Sequence, residues 1–418
     1  SAASDVYKRQ GIHMISVGID ISKDKSTVCI LAPYGNFIKK PFTIEHTKES
    51  INELALFINS LREETKVVME STGIYHLPVL KQLLSHNLFV SLINPLVMNK
   101  YANTNIRPGK TDNKDAITIA NYGIDYWYKL QPYVEKDTRY EQLRLLSRQY
   151  NQYINMRVKC KLALLNLLEQ AMPQITTLLE NDSQDIKRDK LNAFVKKYWH
   201  YDNITKFTQR QFIANYNQWA KKEGYQVSQS KAEKIYALAS NKIPTLSSQD
   251  PSTKMLLLEA IRMYREINTS TDMILSQMKN IAKTLVEYDI LISMKGIGEK
   301  LAPRFIAEVG DVRRFHSASA LIAYAGIDAP AYQSGQFCSS NRRISKRGSK
   351  SLRKVGYEIM ASFTRQKPLD NDIYIYIKKK ESEGKAKKVA KVAGLNKFLR
   401  IYYAKVRDAY LVLSLIHI

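Results

Sequence analysis

The chain has 418 residues, 44% of them hydrophobic and 25% charged, with 64 Lys and Arg against 39 Asp and Glu. That length accommodates two or three domains of ordinary composition, and no apolar run approaches the ~20 residues that a membrane-spanning helix needs. The net charge of +25 points to a polyanionic partner, because each neutralised phosphate releases condensed counterions.

The charge is unevenly placed. Residues 291–410 hold 25 Lys and Arg against 10 Asp and Glu, so +15 of the excess lies there. Nucleic acid is the expected partner of that stretch, ahead of a membrane surface. Cys29, Cys160 and Cys338 are scattered and odd in number. They make neither a disulfide framework nor a zinc cluster, as expected of a protein in a reducing cytoplasm. Both ends read as foreign to the fold: Ser1–His13 has no apolar signal core, and the last residues, "LSLIHI", look non-native. Met14 is the expected start, and 412–418 the expected tail.

From Ile15 to about Tyr133 the pattern is α/β. "ISVGID" reads as a buried strand, "STVCILA" as its hairpin partner, and "NFIKKPFTI" as a third strand beyond a turn at Pro33–Asn36. A helix is expected over Lys48–Leu61, a strand in "KVVME" ending on Glu70, and a helix from about Tyr75. "LFVSLIN" reads as another strand and Asp112–Tyr122 as a helix. Three strands followed by alternating helices and strands is the order of a ribonuclease H-like (RuvC-like) fold, expected over 14–136.

Apolar residues then recur at helical spacing from about Thr138 to Pro173, and again from about Thr253 to Val286. Two long helices are expected, pairing as a coiled coil within 137–288. The polar stretch 174–250 between them reads as an insertion of small helices. A mainly helical, basic unit follows over 289–411.

Three constellations carry chemistry. Asp20 ends the first strand, Glu70 ends the fourth, and Asp112 and Asp115 stand three apart on one helix face. Strand ends converge at one sheet edge, and clustered carboxylates there would call for Mg²⁺ or Mn²⁺. Two such ions about 3.5–4 Å apart clamp the attacking and leaving oxygens of phosphoryl transfer. Singly, each acid has a plainer explanation. Asp20 could cap a turn, and Asp112 is suited to be a helix N-cap.

The second constellation is "MKGIGEKLAPRFIAE", which reads as a helix-hairpin-helix in which Gly296 and Gly298 bring backbone N–H groups to a phosphate. Its plainer explanation is a glycine turn packing two helices. The third is "NRRISKRGSKSLRK", where Arg342, Arg343, Lys346, Arg347, Lys350, Arg353 and Lys354 occur without an acid. Phosphate contact is expected there, against the alternative of a solvated face. Ser334, Ser339, Ser340, Ser345 and Ser349 lie nearby, and the residues alone do not choose among them as a nucleophile.

"GIDISKD", "VVMESTGIYH" and "GKTDNKDA" resemble the first half of the DEDD transposases of bacterial insertion sequences, relatives of the pilin-gene invertases. "MKGIGEKLAPRFIAEVGDVRRF", "ALIAYAGIDAPAYQSGQ" and "ISKRGSKSLRK" resemble the second half, in the same order. The resemblance spans Met14 to about Tyr410, apart from 174–250. It implies that Asp20, Glu70, Asp112 and Asp115 are catalytic metal ligands and that Ser334 is a nucleophile joining covalently to DNA. It also implies a bridge RNA that chooses donor and target DNA, and active sites cooperating in a dimer or tetramer.

Three rivals are weaker. A ribonuclease H-like nuclease or junction resolvase would use the same acids for hydrolysis, but would not need the basic second half. An actin-like sugar kinase or ATPase requires a second Asp-Gly phosphate turn that the sequence lacks. A non-enzymatic scaffold would have no use for four acids aligned with the fold.

Overall fold

The computed structural model describes residues 14–71, 73–102, 111–135, 137–179, 189–329, 333–334, 337–338 and 343–416. They fall into two compact units, Ser1–Glu135 and Lys136–Ile418.

The first unit is built on a five-stranded mixed sheet. Its strands are β1 (Met14–Ile21), β2 (Lys25–Ala32), β3 (Asn36–Glu45), β4 (Glu64–Glu70) and β5 (Val90–Ile93). The spatial order is β3-β2-β1-β4-β5. The first three strands form an antiparallel meander, while β4 runs parallel to β1 and β5 parallel to β4. Helices supply the crossovers that parallel strands require: α1 (Lys48–Ser60) before β4 and α2 (His76–Ser85) before β5. Two more follow, α3 (Pro95–Ala102) and α4 (Asp112–Asp125). The strand order and directions are those expected of a ribonuclease H-like sheet. The helix at Pro95–Ala102 is an addition to the expected elements.

Side chains alternate across the strands, so each face has its own cover. Ile15, Val17 and Ile19 of β1, with Val67 and Met69 of β4, meet Ile51, Leu54 and Ile58 of α1 and Val79 and Leu83 of α2. The opposite face carries Cys29 and Leu31 against Ala116 and Ala120 of α4, and Val68 against Ile119. Strands β1, β2 and the end of β4 are thus buried on both sides, which is why they read as near-continuous apolar runs, while the edge strand β3 is largely exposed.

Among the described residues, the regular structure of the second unit is helical except for one two-stranded ribbon. Its long helices, α5 (Thr138–Ala171) and α11 (Pro251–Ala282), pack against each other. They run antiparallel, because the start of α5 and the end of α11 share one core while their other ends share a second. The second core belongs to the insertion, formed by α6 (Ile175–Leu179), α7 (Lys190–Tyr198), α8 (Asp202–Thr205), α9 (Gln209–Lys222) and α10 (Gln229–Asn241). Phe194, Tyr201, Phe212 and Tyr216 are fully buried in it. The small helices expected in this polar stretch therefore form around an aromatic centre. The helix expected to reach Val286 stops at Ala282, where the chain turns extended at Leu285 and buries that side chain.

The first core is closed by α12 (Val286–Ser293), α13 (Ala302–Val309), α14 (Ala318–Ala325), α15 (Lys350–Gln366), α16 (Asp372–Ser382) and α17 (Lys387–Ile416). Between α14 and α15 lies the ribbon of β6 (Gln333–Ser334) and β7 (Phe337–Cys338). No helix among the described residues is long and apolar enough to cross a membrane.

Candidate carboxylate site and nucleic-acid-facing residues

Two glycines decide where the acids go. A Cβ on Gly18 would lie 2.3 Å from the Ala120 nitrogen and 2.5 Å from the Ala116 oxygen. On Gly123 it would lie 2.0 Å from the Ser16 Oγ. Helix α4 therefore lies directly on β1, with Ala116 and Ala120 over Gly18 and Gly123 over Ser16. It runs antiparallel to the strand, so its N-terminus points to the end of β1 that carries Asp20.

The helical repeat then fixes the side. Asp112 stands one turn before Ala116, and Asp115 one turn before Ile119. Both acids thus continue the sheet-facing stripe of Ala116, Ile119, Ala120 and Gly123. Asp20 shares the parity of Ser16 and Gly18 and points to the same face of the sheet. Glu70 shares it too, because Ile19 pairs with Met69 in parallel register and Asp20 and Glu70 are one step further on each strand. Neighbouring strands are about 4.8 Å apart. All four acids therefore lie on one face, toward one edge of the sheet.

Asp20, Glu70 and Asp115 are half-buried and Asp112 is exposed. The N-cap of α4 is Thr111, whose hydroxyl accepts from the Lys114 N–H at 3.3 Å. Asp112 is the first helical residue, so the capping role considered for it belongs to its neighbour.

The donor set, carboxylate oxygens only, suits a hard divalent cation. Among the described residues, no three His, Cys, Asp or Glu side chains are close enough together to hold one. The acids share a face and an edge without forming a closed shell. Residues 103–110, directly before Thr111, lie outside the described residues.

In the second unit the glycine-rich turn does join two short helices, α12 and α13. Gly296 has a φ of +105°, and a Cβ there would lie 2.5 Å from the Phe363 ring. That packing explains Gly296 without any phosphate. Gly298 has open space around its Cα, and it leads an exposed tip of Gly298, Glu299 and Lys300. The first turn of α13, Ala302–Phe305, is buried.

The basic run is fixed to the end of α14. The Ser345 N–H donates to the Asp328 carbonyl at 2.8 Å, Lys346 N–H to Gly326 at 3.0 Å, and Ser349 N–H to Tyr324 at 2.7 Å. Gly348 permits this contact, since a Cβ would lie 2.4 Å from the Tyr324 oxygen. The backbone is held inward while Arg343, Lys346, Arg347 and Lys350 are exposed. Arg342 lies outside the described residues. Lys350 and Lys354 also line a cavity of about 230 Å³ with Arg304 and Glu308. Arg304 is buried, paired with Glu358 at 2.6 Å, and lies over the Tyr150 ring. Nothing in the sequence marked Arg304, a lone cation in an apolar helix.

Of the nearby serines, two have structural roles. Ser345 donates to the Asp328 carboxylate at 2.5 Å, and Ser349 caps α15 by accepting from Leu352 N–H. Ser334 lies in β6, its backbone paired with Phe337. Ser339 and Ser340 lie outside the described residues.

The mixed sheet with acids at one edge and the basic helical unit each overlap a segment that matches a known family. Residues 17–173 match the DEDD transposases of the IS110 type, described as "Transposase", and residues 288–374 match the "Transposase IS116/IS110/IS902 family". The chain belongs to the DEDD transposase family of insertion sequences, and is a DNA transposase or recombinase. The "Pilin gene-inverting protein" of Moraxella bovis is 25% identical over 397 residues, 94% of this chain and 95% of that protein. Its namesake from Moraxella lacunata is 24% identical over the same shares. Two RuvC structures from Thermus thermophilus, one with a Holliday junction substrate, are 14% and 15% identical. Each covers 29% of this chain and 100% of its own at a TM-score of 0.23, too low to weigh beside the strand pairing itself.

Proposed function

We propose that the chain cuts and rejoins DNA with Asp20, Glu70, Asp112 and Asp115 as divalent-metal ligands and Ser334 as a covalent nucleophile. The observation that carries this reading is the close crossing of α4 over Gly18, which aims two acids at the sheet edge holding the other two. Bound Mg²⁺ or Mn²⁺ would supply charge neutralisation at the reacting phosphate. The acids would hold it on the edge of a rigid sheet, which suits a site that must keep its geometry.

In the first step the Ser334 oxygen bonds to phosphorus as the serine proton passes to a base, and the DNA oxygen that leaves takes up a proton and departs as a hydroxyl. In the second, a DNA hydroxyl attacks the phosphoserine and the serine is restored. The phosphodiester bond energy is kept throughout, so no high-energy cofactor is required. A serine hydroxyl is a weak nucleophile, and the base that takes its proton would supply the activation it needs.

The exposed cations Arg343, Lys346, Arg347 and Lys350, with Arg342, would position DNA through its phosphates, and Gly298 would add a backbone contact in the manner of a helix-hairpin-helix. A bridge RNA would select donor and target DNA, in line with the family resemblance and with a charge of +25. The working form would be a dimer or tetramer, with α5 and α11 as a coiled-coil connection. A strand-exchange assay tests the acids: Asp20→Asn and Glu70→Gln should abolish recombinant product in Mg²⁺ while nucleic-acid binding persists. Full activity of Asp20→Asn in EDTA would overturn the metal reading.

A further inference from the structure

The insertion between the two long helices falls outside both matched segments, which end at 173 and resume at 288. It nevertheless carries a cavity of about 610 Å³. That is within the range of roughly 300–1,000 Å³ that takes a small molecule or one unit of a polymer. The cavity is lined by Lys196 and Lys197 from the last turn of α7, Lys222 from the last turn of α9, and Arg265 from α11. Glu223 is the one acid in the lining, and the buried Trp219 forms part of the wall.

Helix ends attract cations by themselves, because the last turn of a helix carries partial negative charge. That accounts for Lys196, Lys197 and Lys222 one at a time. It does not account for Arg265, which stands near the middle of the 32-residue α11. Nor does it explain why three separate helices point cations into one cleft. None of these four cations forms an ion pair among the described residues. Lys197 is held below its ordinary pKa by loss of solvent and then by Lys222, with Glu223 opposing. Cations kept this close repel one another, and an anion between them would remove the cost.

The wall is rigid. Trp219 packs at 5.7 Å from Phe194, 5.6 Å from Tyr216 and 5.5 Å from Tyr225, measured between ring centres. The buried Lys190, whose Nζ donates to the Gln226 carbonyl at 3.2 Å, braces Tyr216 and Tyr225 from behind. Four cations and one acid leave more positive charge than any single monoanion balances, whether a carboxylate or one phosphodiester. Successive phosphates of one strand therefore match the cleft better than a lone carboxylate.

We infer that the cleft of Lys196, Lys197, Lys222 and Arg265 is a second nucleic-acid phosphate site, through which the insertion grips a strand at a distance along the chain from the basic run. The inference rests on the reading that the protein binds nucleic acid, and goes beyond it in giving the insertion a role.

The test uses the full chain and fluorescence anisotropy over a salt series, with a duplex DNA and a structured RNA hairpin as probes. Lys196→Gln/Lys197→Gln/Lys222→Gln should flatten the log–log salt slope by about 0.9 per lost contact on duplex, or about 0.7 on single strands. A change on DNA alone or RNA alone identifies which strand the cleft holds, and either supports the site. The matching Lys→Arg triple should keep the original slope, and thermal unfolding of both should follow the parent. Arg343→Ala/Lys346→Ala/Arg347→Ala serves as reference. If the reference slope flattens and the cleft variant's does not on either probe, the cleft is not a nucleic-acid site. If neither moves, the contact reading of the basic run fails with it. Loss of ADP or pyrophosphate binding in calorimetry, with unchanged slopes, would also overturn the inference in favour of a small-molecule pocket.

Discussion

The backbone of Ala120 lies on Gly18 so closely that a single methyl group between them would meet the Ala120 nitrogen at 2.3 Å. This crossing sets the height and direction of α4, and through them the positions of Asp112 and Asp115. Gly18→Ala should push the helix off the sheet, with an overpacking cost of about 1–3 kcal/mol. Calorimetry should show a lower Tm, and strand exchange should fall further than stability alone explains. An unchanged Tm and full activity would mean that α4 does not lie where the crossing puts it.

Metal binding should be visible without any reaction. An ion that binds only the folded chain stabilises it by mass action, about 2.7 kcal/mol at a hundred times its Kd. Mg²⁺ or Mn²⁺ should therefore raise the Tm of the parent and not that of Asp20→Asn/Asp115→Asn. Equal rises in both would place any metal elsewhere.

These acids were legible in the sequence because they end apolar runs whose type is unambiguous. Asp20 closes "ISVGID" and Glu70 closes "KVVME". What brings Asp112 and Asp115 to them was not legible, since a glycine within a strand has several uses and only the helix lying on Gly18 selects one. Thr111 and Asp112 are adjacent, and both are good N-caps, so composition did not separate the capping residue from the candidate ligand. Gly296 read as a phosphate contact from its motif, yet Phe363, 67 residues away in sequence, already gives it a reason. The cationic cleft of the insertion was invisible for the same kind of reason. Lys197 and Arg265 are far apart in the chain and meet only through the folding of an aromatic core.

A buried acid gives a pH test of the second unit. Glu287 is fully buried, accepting from the Tyr140 hydroxyl at 2.5 Å and from Tyr410 at 3.2 Å. Burial chiefly, with a smaller push from Asp311, raises its carboxyl pKa, and the tyrosine hydrogen bonds oppose the rise. The folded state thus favours the protonated form. Its contribution to stability is complete below the unfolded value of about 4.3 and is lost as pH rises through the folded value. Glu287→Gln should flatten the Tm profile over that window. Parallel profiles for parent and variant would show that the carboxyl is not protonated in the fold.

Thiol chemistry offers a separate check on the sheet. Burial behind α4 pushes the Cys29 thiol to about 11, whereas Cys160 is half-buried on α5. A maleimide reagent at neutral pH should label Cys160 in native protein and reach Cys29 only after denaturation, as read by peptide mass. Labelling of native Cys29 would mean that the α4 face of the sheet opens.

Cutting and rejoining of DNA through Ser334, as proposed, is tested most directly by trapping the reaction. Active protein quenched in denaturant during strand exchange should carry DNA covalently, and mass spectrometry should place the adduct on the peptide containing Ser334. Ser334→Ala should bind nucleic acid normally, yet form neither adduct nor recombinant. An adduct that persists in Ser334→Ala, or that maps to Ser339 or Ser340, would contradict the assignment of the nucleophile. Recombinant product with no covalent species would contradict the mechanism itself.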